Sequence, residues 1–99
     1  MIIEDNQFDK EKDYIFQMIE NENQHQLEKW GIQKKHVFEW VAWTAEEFGE
    51  LIKGLNELNY ERTSDFDSVI TEGIQTMTLL TKIISGLIHI AEKEAENNE

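Results

Sequence analysis

Apolar positions recur along this chain at intervals of three and four residues, and no run alternates with the period of two that marks a strand. Three stretches carry the helical period. From about Asp9 to Lys29 the stripe is thin, comprising Tyr14, Ile15, Met18, Ile19 and Leu27. Within it, Glu20 to Gln26 is polar on all sides, so that much of this segment must be solvated or face a site. From about Val37 to Leu58 the stripe is coherent: Val37, Val41, Thr44, Phe48, Leu51, Ile52 and Leu55, with Trp40 and Leu58 at its edge. Trp43, Glu47, Glu50 and Gly54 form a second strip beside that edge, which places acidic groups next to the core. From about Phe66 to Ala95, Ile70, Ile74, Met77, Leu80, Ile84 and Ile88 make one stripe. Leu79, Ile83, Leu87 and Ile90 add a second apolar sector to the same helix.

The breaks between these stretches have local causes. Trp30-Gly31 ends the first, because glycine readily takes the backbone conformation that closes a helix. GIQKKH and NYERTSD are connections, with Ser64 or Asp65 as the N-cap of the third helix. Ser85-Gly86 predicts a break within it. Residues 1–8 read as a loose lead and 96–99 as a frayed tail. The expectation is one all-α domain over residues 1–99, with about three long helices. A third helix apolar around most of its circumference cannot be covered by two neighbours in a chain this small. The pattern therefore predicts a homodimer or homotetramer.

Composition narrows the function classes. Twenty-one acidic residues against nine basic give a net charge of −12, which excludes non-specific binding to nucleic acid. There is no cysteine, hence no disulfide framework and no zinc–thiolate site. No run of 18 apolar residues is free of charge, so no membrane span is expected. MIIEDNQFDK lacks the basic and apolar regions of a signal peptide, so the expected location is cytoplasmic.

The candidate chemistry lies between residues 46 and 75. Glu46, Glu47 and Glu50 stand in EEFGE, and Glu72 and Gln75 in EGIQ. Residues three apart share a helix face, so Glu47 and Glu50 project together from one helix, and Glu72 and Gln75 from another. Two helices that each present a pair of oxygen ligands can build a site for a hard cation such as Mg²⁺, with Mn²⁺ as a substitute. An E-x-x-E alone is common on the solvated face of so acidic a chain; the second pair, interrupting an apolar helix, is what gives the first its meaning. Lys29, Lys34, Lys35 and Lys53 could meet phosphate or simply water. Trp30, Trp40 and Trp43 could stack a base or pack as core, and Trp43 shares the Glu47/Glu50 strip. His25 and His36 lie in polar surroundings, whereas His89 lies in an apolar helix and reads as an interface residue.

AEEFGELIKGLNE followed by ITEGIQTMTLL resembles the MazG-like, all-α nucleoside triphosphate pyrophosphohydrolases, whose signature is E-x-x-E, a variable spacer, then E-x-x-D. EKWGIQKKHVFEWVAW is similar to the segment before this helix in short standalone members, and the resemblance covers roughly residues 20–85. It implies hydrolysis of a (d)NTP to (d)NMP and pyrophosphate, with Mg²⁺ neutralising the phosphate oxygens. It further implies metal ligation by Glu47, Glu50 and Glu72, with Gln75 at the fourth ligand position and Glu46 as the group that orients or deprotonates water. Lys29, Trp30, Trp43 and Lys53 are the expected substrate contacts. Gln75 departs from the pattern: its carbonyl can ligate a cation, but it brings no charge and no base. The alternative is a non-catalytic relative that binds nucleotide or metal, or a purely structural helical oligomer.

Overall fold

The computed structural model describes residues 1–98. It is all-helical, with α1 over Phe8–Trp30, α2 over Val37–Asn59 and α3 over Phe66–Asn97. A short 3₁₀ turn, Asp5–Gln7, leads into α1. The Met1 amino group donates to Asn59 Oδ1 at 3.3 Å, which ties the lead to the end of α2.

Three of the helix boundaries have a local cause. Gly31 closes α1 at φ 69, a left-handed backbone that a side chain resists, and its N–H donates to Leu27 O at 2.8 Å. His36, in the connection by its polar pattern, caps α2, its Nδ1 accepting from Phe38 N at 3.2 Å. Asp65 is the N-cap of α3, its Oδ1 accepting from Ser68 N at 3.0 Å. The break expected at Ser85-Gly86 does not occur, and α3 runs without interruption to Asn97. A single glycine costs a helix about 1 kcal/mol, too little to stop one flanked by Ile83, Ile84, Leu87 and Ile88.

The three helices run up, down and up, and α3 is the central one. Both α1 and α2 pack on α3, but among the described residues they do not pack on each other along their length. The α2–α3 seam is tight at Gly54, where an added Cβ would lie 2.9 Å from Val69 Cγ2. Its fully covered residues are few: Leu79 and Thr78 are each 1% exposed, and Leu58, Val69 and Ile74 complete the apolar core.

Much of the predicted core is bare. Val41, Phe48 and Ile52 of α2 and Ile70, Leu80, Ile84 and Ile88 of α3 are all exposed. They lie on the side of the α2–α3 pair away from Glu47 and Glu72, as the helical period requires. The radius of gyration is 16.3 Å, against about 13 Å for a compact chain of this length. The accessible surface is 8033 Å², roughly 2,100 Å² above the value of about 5,900 Å² that a chain of this mass shows when compact. An 18-residue window of α3 reaches a mean hydropathy of 1.3, long and apolar enough to cross a bilayer by length and composition alone. Glu72 and Lys82 lie within the same helix, on the face opposite its bare stripe.

Candidate functional site

The close approach of α2 to α3 sets the geometry of the acidic residues. Gly54 lets the two backbones come together, and Glu47 and Glu72 face each other across the seam a little further along. Their carboxyl groups lie within hydrogen-bonding reach. Both are half-buried, whereas Glu46 and Glu50 are exposed. Partial burial, chiefly, pushes the Glu47 carboxyl above the ordinary glutamate value of 4.5, and the charge of Glu72 and a hydrogen bond to it add to the effect. Glu46 and Glu50 push in the same direction more weakly. Two ionised carboxylates cannot hydrogen-bond to each other; the pair must share a proton or face a cation.

Glu50 and Glu72 line one open cleft of about 230 Å³, together with Lys53 and Gly54. The expected ligands thus fall around one seam, but they do not close on a point. Among the described residues no three acidic, histidine or cysteine side chains are gathered tightly enough to hold an ion as they stand. Gln75 is half-buried one turn beyond Glu72. Residues 72, 75, 79 and 82 share one face of α3.

The expected substrate contacts divide. Lys53 lies at the acidic cleft. Trp30 and Trp43 are instead engaged with each other, edge to face at 5.7 Å between centroids, and Trp43 stacks on Trp40, also at 5.7 Å. Lys29 sits over the Trp30 ring at 4.7 Å and Lys35 over Trp43 at 4.5 Å. This cluster joins the end of α1 to the start of α2, where their backbones do not meet.

A larger cleft, about 600 Å³, lies between α1 and the second half of α3 and reaches Trp40 and the Gly31–Gln33 connection. Two of its polar residues, Gln26 and Lys82, belong to a chain of three side chains that ends on Glu22 outside the cleft. Lys82 Nζ donates to Gln26 Oε1 at 2.6 Å, and Gln26 Nε2 donates to Glu22 Oε1 at 3.0 Å. Gln26 is 4% exposed, the most deeply buried residue of α1, with both ends of its amide satisfied. Burial draws the Lys82 pKa below its usual range, partly offset by the charge of Glu22. None of these residues was singled out from the sequence. The available signals were a cation within the apolar stretch of α3, on the face of Glu72 and Gln75, and the polar run Glu20–Gln26.

Comparison with protein-family models, curated proteins and solved structures finds no match to this chain.

Proposed function

We propose that the chain is a Mg²⁺-dependent nucleoside triphosphate pyrophosphohydrolase, converting (d)NTP and water to (d)NMP and pyrophosphate. The observation that carries this reading is the juxtaposition of Glu47 and Glu72 across the α2–α3 seam, with Glu50 facing the same cleft as Glu72. Like charges placed this close oppose folding unless a cation neutralises them, and the donor set is all oxygen, which suits Mg²⁺ or Mn²⁺. The E-x-x-E and E-x-x-Q spacing and its resemblance to the MazG-like pattern point the same way.

In this reading Glu47, Glu50 and Glu72 hold the ion, and the Gln75 carbonyl accepts from a water in its shell. The ion, when bound, supplies positive charge to the triphosphate oxygens and lowers the pKa of water. Glu46, exposed beside the pair, takes the proton from the attacking water. Lys53 lies near enough to the acidic cleft to meet phosphate. A second copy of the chain covers the bare face of α2 and α3, giving a homodimer, or a homotetramer built from two of them. The proposed setting is the cytoplasm.

Gln75 favours a second reading, in which the chain binds nucleotide or metal without turnover. Product analysis separates the two. The enzyme reading requires (d)NMP and pyrophosphate in equal amounts with Mg²⁺; bound nucleotide recovered intact, or phosphate as the product, contradicts it.

A further inference from the structure

We propose that α1 is a hinged lid: it opens about residues 31–36 while α2 and α3 stay paired, and the hydrogen bond from Lys82 to Gln26 is its latch. The inference does not rest on the pyrophosphohydrolase reading. It starts from how little apolar surface α1 buries. The one buried residue of α1 is an amide, Gln26. Ile15, Met18 and Ile19 are half-buried, and Phe8, Tyr14, Phe16 and Leu27 are exposed. Of the buried residues of α3, Ile74 and Thr78 line clefts beside α1, and of these two only Ile74 is apolar. Those two clefts, about 240 and 600 Å³, lie along the boundary of α1 with α3. The α2–α3 seam, by contrast, is tight at Gly54 and covers Val69 and Leu58. A unit that buries few apolar side chains opens at a lower free energy than the rest of its fold.

The two ends of α1 differ in how they are held. At the C-terminal end, Trp30 packs edge to face on Trp43 at 5.7 Å between centroids, which fastens α1 to the start of α2. Gly31 follows at φ 69, and residues 32–35 are irregular backbone with Ile32, Lys34 and Lys35 exposed. Such a segment absorbs a change of φ and ψ without breaking a helix, as a hinge must. At the other end the tie is an exposed contact, the Met1 amino group to Asn59 Oδ1 at 3.3 Å, for which water competes. Between the ends, among the described residues, α1 packs on α3 and not along α2. There the latch sits. Lys82 Nζ donates to Gln26 Oε1 at 2.6 Å, and Gln26 Nε2 donates to Glu22 Oε1 at 3.0 Å. A bond from a charged donor is stronger than a neutral one and holds the lid shut. Against it stands the partial burial of the Lys82 ammonium, which opening returns to water. Opening uncovers Thr78, Thr81, Lys82 and Ser85, the α3 side of the larger cleft.

The test is native-state hydrogen exchange of the full chain, read by mass spectrometry and corrected for intrinsic rates. In the parent, the amides of residues 15–26, clear of both ends of α1, should exchange at least about tenfold faster than those of residues 51–58 and 73–79. Gln26→Leu leaves the Lys82 ammonium without its acceptor, and Lys82→Met leaves the buried Gln26 carbonyl without its donor. Each should speed exchange in α1 a further tenfold or so, the scale of a hydrogen bond to a charged group, and leave α2 and α3 unchanged. The double variant replaces both partners by apolar groups, so it should return α1 to the parent rate or below. Circular dichroism melts establish that each variant is folded. Exchange of all three helices at one rate in the parent overturns the lid. Single variants that leave α1 unchanged or speed the three helices equally, or a double variant as fast as the singles, overturn the latch.

Discussion

Glu47→Gln should make the metal-free protein more stable and the Mg²⁺-loaded protein less so. In the parent the Glu47 carboxyl is half-buried, faces Glu72 within hydrogen-bonding reach and is flanked by Glu46 and Glu50. Two unit charges at 4 Å repel by about 4 kcal/mol at an effective dielectric of 20 and by about 1 kcal/mol in bulk water. The pair is only half covered, so screening brings the effect to the lower end, about 1 kcal/mol. For a domain of this size that is a rise of about 4–8 °C in melting temperature for the variant without metal. The amide also donates to Glu72 where the carboxylate could not. Addition of Mg²⁺ should reverse the order, because the ion binds the folded parent and stabilises it by mass action, whereas the variant has lost a ligand. The pH dependence follows from the same group. A carboxyl raised in the folded state contributes its stability fully below the unfolded value, and loses it as pH rises through the folded one. The metal-free parent should therefore lose stability from about pH 4.5 upward, Mg²⁺ should restore it, and Glu47→Gln should flatten the profile. The assay is thermal denaturation by circular dichroism, with chelator and with Mg²⁺, across that range. Identical melting of parent and variant under both conditions refutes the reasoning.

Gln75→Asp should lower the metal-free melting temperature and increase the stabilisation by Mg²⁺, with pyrophosphohydrolase activity raised or retained; unchanged melting in both states removes position 75 from the site. Gly54→Ala should destabilise the chain by up to about 2 kcal/mol in urea denaturation: the new methyl meets Val69 at 2.9 Å, and overpacking outweighs the gain of about 1 kcal/mol in helix propensity. Gly49→Ala, with open space around its Cβ, should be neutral or stabilising by about 1 kcal/mol, and a larger loss there contradicts the packing described. Ile84→Glu should split the proposed dimer, read by light scattering, since an excess of roughly 2,100 Å² per chain is what an obligate interface of 2,000–5,000 Å² in total would cover. A parent that is monomeric at micromolar concentration, or that partitions onto neutral lipid vesicles through α3, overturns that interface.

The helices were legible because their period, caps and breaks are local. Val37 and Phe66 stand where the pattern places the starts of α2 and α3, and Gly31 ends α1 for the reason its residue type implies. What the pattern could not give was the choice between two apolar sectors of α3. Leu79 lies against its neighbours while Ile84 and Ile88, equally apolar, face outward, because one chain supplies only two helices to pack on the third. Spacing alone put Glu47 and Glu50 on one face of α2, and Glu72 and Gln75 on one face of α3, but the meeting of Glu47 with Glu72 depends on the register between the two helices. The tryptophan cluster and the Glu22–Gln26–Lys82 chain were not legible, since they join residues of different helices and depend on the register between them. Lys82 and Gln26 are 56 positions apart, and nothing local to either predicts the other.

The measurement that bears most directly on the central claim is pyrophosphate release across all canonical (d)NTPs with Mg²⁺ or Mn²⁺, by the parent beside Glu47→Gln and Glu72→Gln. The parent should release pyrophosphate only with metal and with an equal amount of (d)NMP. Each substitution, removing one side of the carboxylate pair, should lower release at least about a hundredfold while the protein stays folded. No release from any nucleotide, or release that either substitution leaves intact, contradicts it.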